Sequence, residues 1–157
     1  MRTRIERSTD VAAPADAVWE YVTDWPRQQE WVPGTRVERV DHASGLGGRF
    51  RAWTGVGRIG FWDPMTITAW YRDDDGGGRC EVLHLGAVVK GEGEFVVQAT
   101  GAGSSRFVWA ETVVVPLGRV GALAWRLVRP LVERVIDAGL AMMRRRVESE
   151  AAARRRG

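Results

Sequence analysis

Residues 119–153 read RVGALAWRLVRPLVERVIDAGLAMMRRRVESEAAA, and the arrangement of the whole chain turns on this stretch. Apolar residues recur at Val120, Leu123, Ala124, Leu127, Leu131, Val135, Ala138 and Met142, in steps of three and four. That is the period of one buried face on a helix. Arg126, Arg129, Glu133, Arg134 and Asp137 fall mostly off the stripe. A helix of about 30 residues is roughly 45 Å long, and a domain can bury so long an element only by wrapping something around it. Pro130 removes one hydrogen bond from it, so a kink is expected near residues 126–130. Between Thr35 and Pro116 the chain reads as strands. The first expectation is therefore a curved sheet gripping one long C-terminal helix.

At 157 residues the chain suits one domain with a real core. We assign that domain to residues 1–150 and a basic tail to 151–157. No run of about 18 apolar residues exists to span a membrane, and Met1–Glu6 lacks the apolar stretch of a signal peptide. A single cysteine, Cys80, excludes an internal disulfide and fits a reducing compartment. The expected protein is soluble and cytoplasmic, a monomer or a homodimer. A sequence pI near 9.7 invites a nucleic-acid reading, which the charge distribution weakens. Residues 1–143 carry 17 basic and 18 acidic side chains, whereas residues 144–157 carry six arginines against Glu148 and Glu150. The basicity is thus a tail, favourable near the negative pole of a helix dipole, and no nucleic-acid partner is expected. We read its arginines as a solvated, fraying helix end, with contact to an anionic membrane surface as the alternative.

Residues 2–11 alternate around Ile5 and Val11 as a first strand does. Ala13-Pro14-Ala15-Asp16 then opens a helix, with Pro14 suited to its first position and Asp16 to its first turn. Thr23-Asp24-Trp25-Pro26 breaks it and starts a second short helix that Pro33-Gly34 ends. Six strands follow, at 35–41, 48–54, 58–71, 79–86, 90–100 and 105–115, separated by turn signals at 43–47, 55–57, 73–78 and 101–104. Such short connections make hairpins, so the seven-stranded sheet should be antiparallel and the fold class α+β.

Alternation sorts the strand residues into two faces. Phe107, Trp109 and Glu111 share a face on 105–115, as Phe95 and Val97 do on 90–100 and Cys80, Val82 and His84 on 79–86. Facing the helix, we expect these apolar side chains with Glu111 and His84 as polar exceptions. The parity of 58–71 is ambiguous, because Pro64 implies a bulge or an edge.

The order of elements, with Ala13-Pro14-Ala15-Asp16-Ala17-Val18-Trp19 and Thr23-Asp24-Trp25-Pro26 early on, resembles the START-like, helix-grip superfamily. Within it the chain is most similar to bacterial SRPBCC proteins of the polyketide cyclase/dehydrase or lipid-transport-like kind. Residues 61–70 (FWDPMTITAW), Gly91-Glu92-Gly93-Glu94-Phe95, Arg106-Phe107-Val108-Trp109 and Pro116-Leu117-Gly118 carry the same resemblance. It implies a deep, largely apolar cavity between sheet and helix that holds a lipid, a polyketide or another hydrophobic molecule. It also implies that a minority of members catalyse cyclisation, dehydration or hydrolysis there. It transfers no catalytic residue.

Gly55-Val56-Gly57-Arg58-Ile59-Gly60 spells a dinucleotide fingerprint, but the fingerprint needs a helix N-terminus after it, and Phe61-Trp62-Asp63-Pro64 follows. We read it as a hairpin turn and expect no cofactor. His42, His84 and Cys80 lack paired ligand spacing, and on a strand Cys80 and His84 lie about 13 Å apart, so no metal is expected. Cys80 in an apolar strand reads as an inert core thiol. Glu111 and His84 remain the catalytic candidates, since a buried carboxylate or imidazole is costly unless paired or used. If Phe95 faces Glu111 and Gly91 faces His84, the two stand roughly 16 Å apart, too far for a direct dyad. The expected ligand-binding set is Trp31, Phe50, Val82, His84, Phe95, Phe107, Trp109, Glu111, Trp125 and Leu131. Carriage of a hydrophobic small molecule is the leading expectation, and a cyclase/dehydrase using Glu111 or His84 for proton transfer is the alternative.

Overall fold

The computed structural model describes residues 1–42 and 44–156. Ala43, in the turn expected at 43–47, and Gly157, at the end of the expected tail, lie outside the described residues. In chain order the elements are β1 (Arg2–Val11), α1 (Ala15–Thr23), a 3-10 helix (Trp25–Glu30), β2 (Thr35–Arg39), β3 (Arg49–Val56), β4 (Ile59–Arg72), β5 (Gly78–His84), β6 (Gly91–Gly101), β7 (Ser104–Val114) and α2 (Gly118–Arg154). The seven strands form one sheet in the order β1-β7-β6-β5-β4-β3-β2, every neighbouring pair antiparallel. The α+β layout read from the sequence is the one observed. α2 continues through the first arginine of the basic end, to Arg154.

Pro14 caps α1, and the Asp16 carboxylate accepts the Ala17 N–H at 2.7 Å. Val18, Trp19 and Val22 form its buried side. Trp25 then stacks on Phe50 with ring centroids 4.1 Å apart, fixing the 3-10 segment against β3.

The buried face of α2 differs from the stripe read in the sequence. Ile136, Gly139, Leu140, Met143, Val147 and Ala151 are buried, whereas Val120, Leu123, Leu127 and Leu131 are exposed. Two apolar stripes interleave along this helix, and periodicity alone does not say which one the sheet covers. The sheet covers the second half. There Gly139 passes so close to β7 and the 3-10 segment that an added Cβ would stand 3.1 Å from the Trp31 carbonyl oxygen and 3.5 Å from the Trp109 ring. Arg7 of β1 forms ion pairs with Glu133 at 2.9 Å and Asp137 at 3.3 Å, the Ala12 N–H donates to Glu148 at 2.9 Å, and Arg27 pairs with Glu150. Among the described residues the half before Leu131 has no comparable anchorage, and Pro130 sits inside the helix without ending it.

Beneath the covered half lies an aromatic cluster. Trp31 meets Trp109 edge to face at 5.4 Å, and Phe95 meets Phe107 likewise at 5.2 Å. The parity of β4 is also settled. Its irregularity lies between Ile67 and Ala69 rather than at Pro64, so Asp63, Met65 and Ile67 are buried on one face before the bulge and Trp70 pairs with Cys80 after it.

Urea denaturation distinguishes the two helix stripes. Met143, 0% exposed, should lose about 2–5 kcal/mol on replacement by alanine, whereas Leu127→Ala, at a side chain 78% exposed, should stay within about 0.5 kcal/mol. The reverse order would place the other stripe inside.

Candidate functional site

Past the aromatic cluster, toward the N-terminal half of α2, the space between sheet and helix is not filled. A cavity of about 430 Å³ opens there. Its walls are mostly apolar, from β3 (Phe50, Ala52), β5 (Val82), β6 (Phe95) and α2 (Leu131, Ile136). Of the ten expected ligand-binding residues, Phe50, Val82, His84, Phe95, Trp109, Glu111, Trp125 and Leu131 line it. Trp31 and Phe107 do not. Both are fully buried behind the wall, where they fill the aromatic cluster. Cys80 lines the cavity, but burial, aided by the nearby Glu81 charge, pushes its thiol up to about 12, so it stays protonated at neutral pH.

One polar chain crosses this wall. His84, the last residue of β5, donates from Nδ1 to Asp63 Oδ2 at 2.6 Å and from Nε2 to Glu111 Oε2 at 3.1 Å. The Trp109 indole N–H donates to the other Glu111 oxygen at 2.7 Å. The contact between His84 and Glu111 overturns the separation expected from the sequence. His84 does pair with Gly91, but the residue opposite Glu111 is Gly93, not Phe95, so the β6–β7 register is two residues from the one assumed. Gly93 lies between Val82 and Glu111 in the sheet. A Cβ there would stand 2.9 Å from Val82 Cγ2, 3.2 Å from Glu111 Oε1 and 3.3 Å from His84 Nε2. The glycine leaves the gap across which imidazole and carboxylate meet, as strand glycines do where groups approach closely.

Asp63 was not among the sequence candidates. It is 4% exposed, sits inward between Phe61 and Met65, and keeps Oδ1 without a hydrogen-bond partner. The alternation Phe61-Asp63-Met65-Ile67 signals it once the parity of β4 is known.

Burial alone would lower the His84 pKa, but the hydrogen bonds to Asp63 and Glu111 and their two negative charges outweigh it, and the pKa rises to about 10. His84 is therefore an imidazolium at neutral pH, donating from both nitrogens. Because those nitrogens point apart, the two carboxylates lie on opposite sides of the ring and do not converge on one point, as the ligands of a metal must. Among the described residues no group of three or more such side chains is arranged to hold a metal ion. Each Glu111 oxygen accepts one hydrogen bond and retains lone pairs for a bound molecule.

A profile described as polyketide cyclase/dehydrase and lipid transport matches residues 2–148. Among solved structures, the chain resembles the Zhui aromatase/cyclase from Streptomyces sp. R1128, at 21% identity over 94% of each chain and a TM-score of 0.73. It also resembles norcoclaurine synthase from Thalictrum flavum, as a point mutant with a transition-state analogue, at 17% identity over 96% of each chain and a TM-score of 0.64. A START superfamily protein from Mycobacterium smegmatis aligns at 15% identity over 96% of this chain and 97% of its own, with a TM-score of 0.63. At these identities the likeness is one of fold. No curated protein matches the chain in sequence.

The titration of His84 checks the chain of hydrogen bonds by NMR, the exposed His42 being the other histidine signal. Its midpoint should lie near pH 10, and Asp63→Asn or Gly93→Ala should bring it back toward the ordinary value. A wild-type midpoint near about 6.5 would mean that the chain does not form. The folded pKa lies above the unfolded one, so the stabilisation from this group is complete below about pH 6.5. It is lost as pH rises through about 10.

Proposed function

Since the chain belongs to the polyketide cyclase/dehydrase and lipid transport family, we propose that its cavity binds a hydrophobic, polyketide-like molecule and that Glu111 moves protons on it. One observation carries this reading: a chain of three ionisable groups, Asp63–His84–Glu111, is set into a wall that is otherwise apolar. A container for a hydrophobic ligand needs only the apolar wall. Taking three charged groups out of water costs several kcal/mol, which their mutual hydrogen bonds serve only to offset, and such clusters in a cleft mark sites where the groups act on a ligand.

The roles follow from the protonation states. His84 is fully protonated at neutral pH and makes a poor base, so the base is Glu111. In an aldol-type cyclisation, Glu111 takes a proton from carbon next to a carbonyl, and that carbon attacks a second carbonyl of the same molecule. The resulting alkoxide recovers the proton from Glu111, and loss of water can follow. The His84 imidazolium and the Trp109 N–H hold the carboxylate in one orientation throughout. Asp63 holds the ring, a positioning role. Simple carriage in the same cavity is the second reading, supported by the mostly apolar lining.

Native mass spectrometry of the purified protein, followed by solvent extraction, identifies any retained hydrophobic molecule. Enolisable polyketide-like substrates are then tested against wild type and Glu111→Gln, which keeps the side chain's shape. Binding should be nearly unchanged while turnover falls by at least about a hundredfold. If wild type returns every bound substrate chemically unchanged, the cavity is a carrier site and the catalytic reading fails.

A further inference from the structure

We propose that the end of the molecule around the cavity mouth is a docking face for an anionic lipid surface. This goes beyond the proton-transfer reading and does not depend on it. β3 ends at Val56, β4 starts at Ile59, β5 ends at His84, β6 starts at Gly91 and β7 ends at Val114. In an antiparallel sheet all of these lie at one end. The β3–β4 turn, the β5–β6 connection and the first half of α2 each supply residues to the cavity lining or lie within a few residues of one that does (Thr54, Phe61, Val89, Trp125, Leu131). Their tips therefore rim a single mouth.

These rims present apolar side chains to solvent. Val56 and Ile59, on either side of the turn, are each 85% exposed. Leu85 and Val88 stand out from the β5–β6 connection, and Leu117, Leu123 and Leu127 from the start of α2 and the residue before it. On this half of the helix the apolar stripe that periodicity marks for burial has nothing on the described chain to cover it.

The same segments are cationic without exception. Residues 54–62, 85–91 and 112–132 contain Arg58, Lys90, Arg119, Arg126 and Arg129 and no aspartate or glutamate. Of these, Arg129 also bonds Glu133 at 2.8 Å. Glu92, just beyond the second segment, is paired with Arg2. Apolar tips interspersed with cations suit an interface that is apolar below and negatively charged at its surface, namely a bilayer carrying anionic headgroups. A second copy of the chain would set five cations against five. Three separate protruding tips also fit a deformable layer better than a rigid partner groove. A molecule leaving the apolar cavity through this mouth would pass into the acyl region without crossing water.

This places the contact away from the arginine-rich end, the alternative site for such a contact in the sequence. Arg154 and Arg155 lie beside Asp16, Glu20, Ala102 and Gly103, against α1 and the β6–β7 turn, at the opposite end of the sheet.

The test is flotation of the full chain with vesicles of phosphatidylcholine alone and of phosphatidylcholine with phosphatidylglycerol in equal parts. Binding should be at least about tenfold tighter to the anionic vesicles and weaken with salt. Ile59→Glu and Leu127→Glu, on separate elements and both exposed, should each reduce it about tenfold with unchanged melting temperature. Arg154→Glu with Arg155→Glu should leave it unaltered. Absence of vesicle binding overturns the proposal, whether or not an acidic protein is captured instead. So does binding that only the Arg154 and Arg155 changes abolish. A solution dimer split by Leu127→Glu, without vesicle binding, would make the face a self-interface and overturn it as well. Failure of the cavity to turn over any substrate leaves these results untouched.

Discussion

Four rings decide where this molecule is solid and where it is hollow. Trp31, Phe95, Phe107 and Trp109 meet edge to face or tilted, at centroid distances of 5.2–6.2 Å, within the range where aromatic pairs attract beyond their burial. They fill the space under the second half of α2, and Gly139 lets that half settle onto them. The first half of the helix, held off by no comparable packing, spans the remaining gap as the roof of a cavity. The carrier-like and the catalytic features both follow from this division.

The polar chain obeys the same geometry. Glu111 follows Trp109 by two residues on β7, so both point to the same side, and the indole that closes the aromatic cluster also fixes the carboxylate. His84 reaches that carboxylate only because Gly93 stands between them without a side chain. A buried imidazolium between two carboxylates is costly to desolvate and, once formed, costly to break, because removing one partner leaves an unmatched charge. The site is therefore stiff where it is charged and accommodating where it is apolar.

Much of this was legible in the residues. Strand positions came from alternation and glycine-rich turns, and the inward orientation of His84 and Glu111 came from parity on single strands, which local sequence specifies. What failed was non-local. The partner of Glu111 depends on how β6 slides against β7, and a slip of two residues preserves every face while moving each pair by about 6–7 Å. Asp63 was hidden because Pro64 suggests an irregularity at its own position, whereas the bulge lies three to five residues beyond the proline. On α2, two stripes of equal periodicity compete, and only the location of the aromatic cluster chooses between them. Trp31 and Phe107 show the limit of residue type as a guide, since an inward aromatic serves equally as wall or as filler.

The pairing of β1 with β7 has a consequence for how the chain reaches this state. The Met1 amine donates to the Val115 carbonyl across 114 positions, and Arg2 pairs with Val114. Of the strands in this sheet, β1 is made first, yet it is an edge that lacks its neighbour until β7, the last of them, has been made. α2, which seals the aromatic cluster, comes later still. Contacts of such long sequence separation slow folding, and the unsealed sheet exposes its aromatic face during synthesis. The nascent chain must stay out of aggregates for most of its synthesis, and its C-terminal helix is the step that ends that exposure.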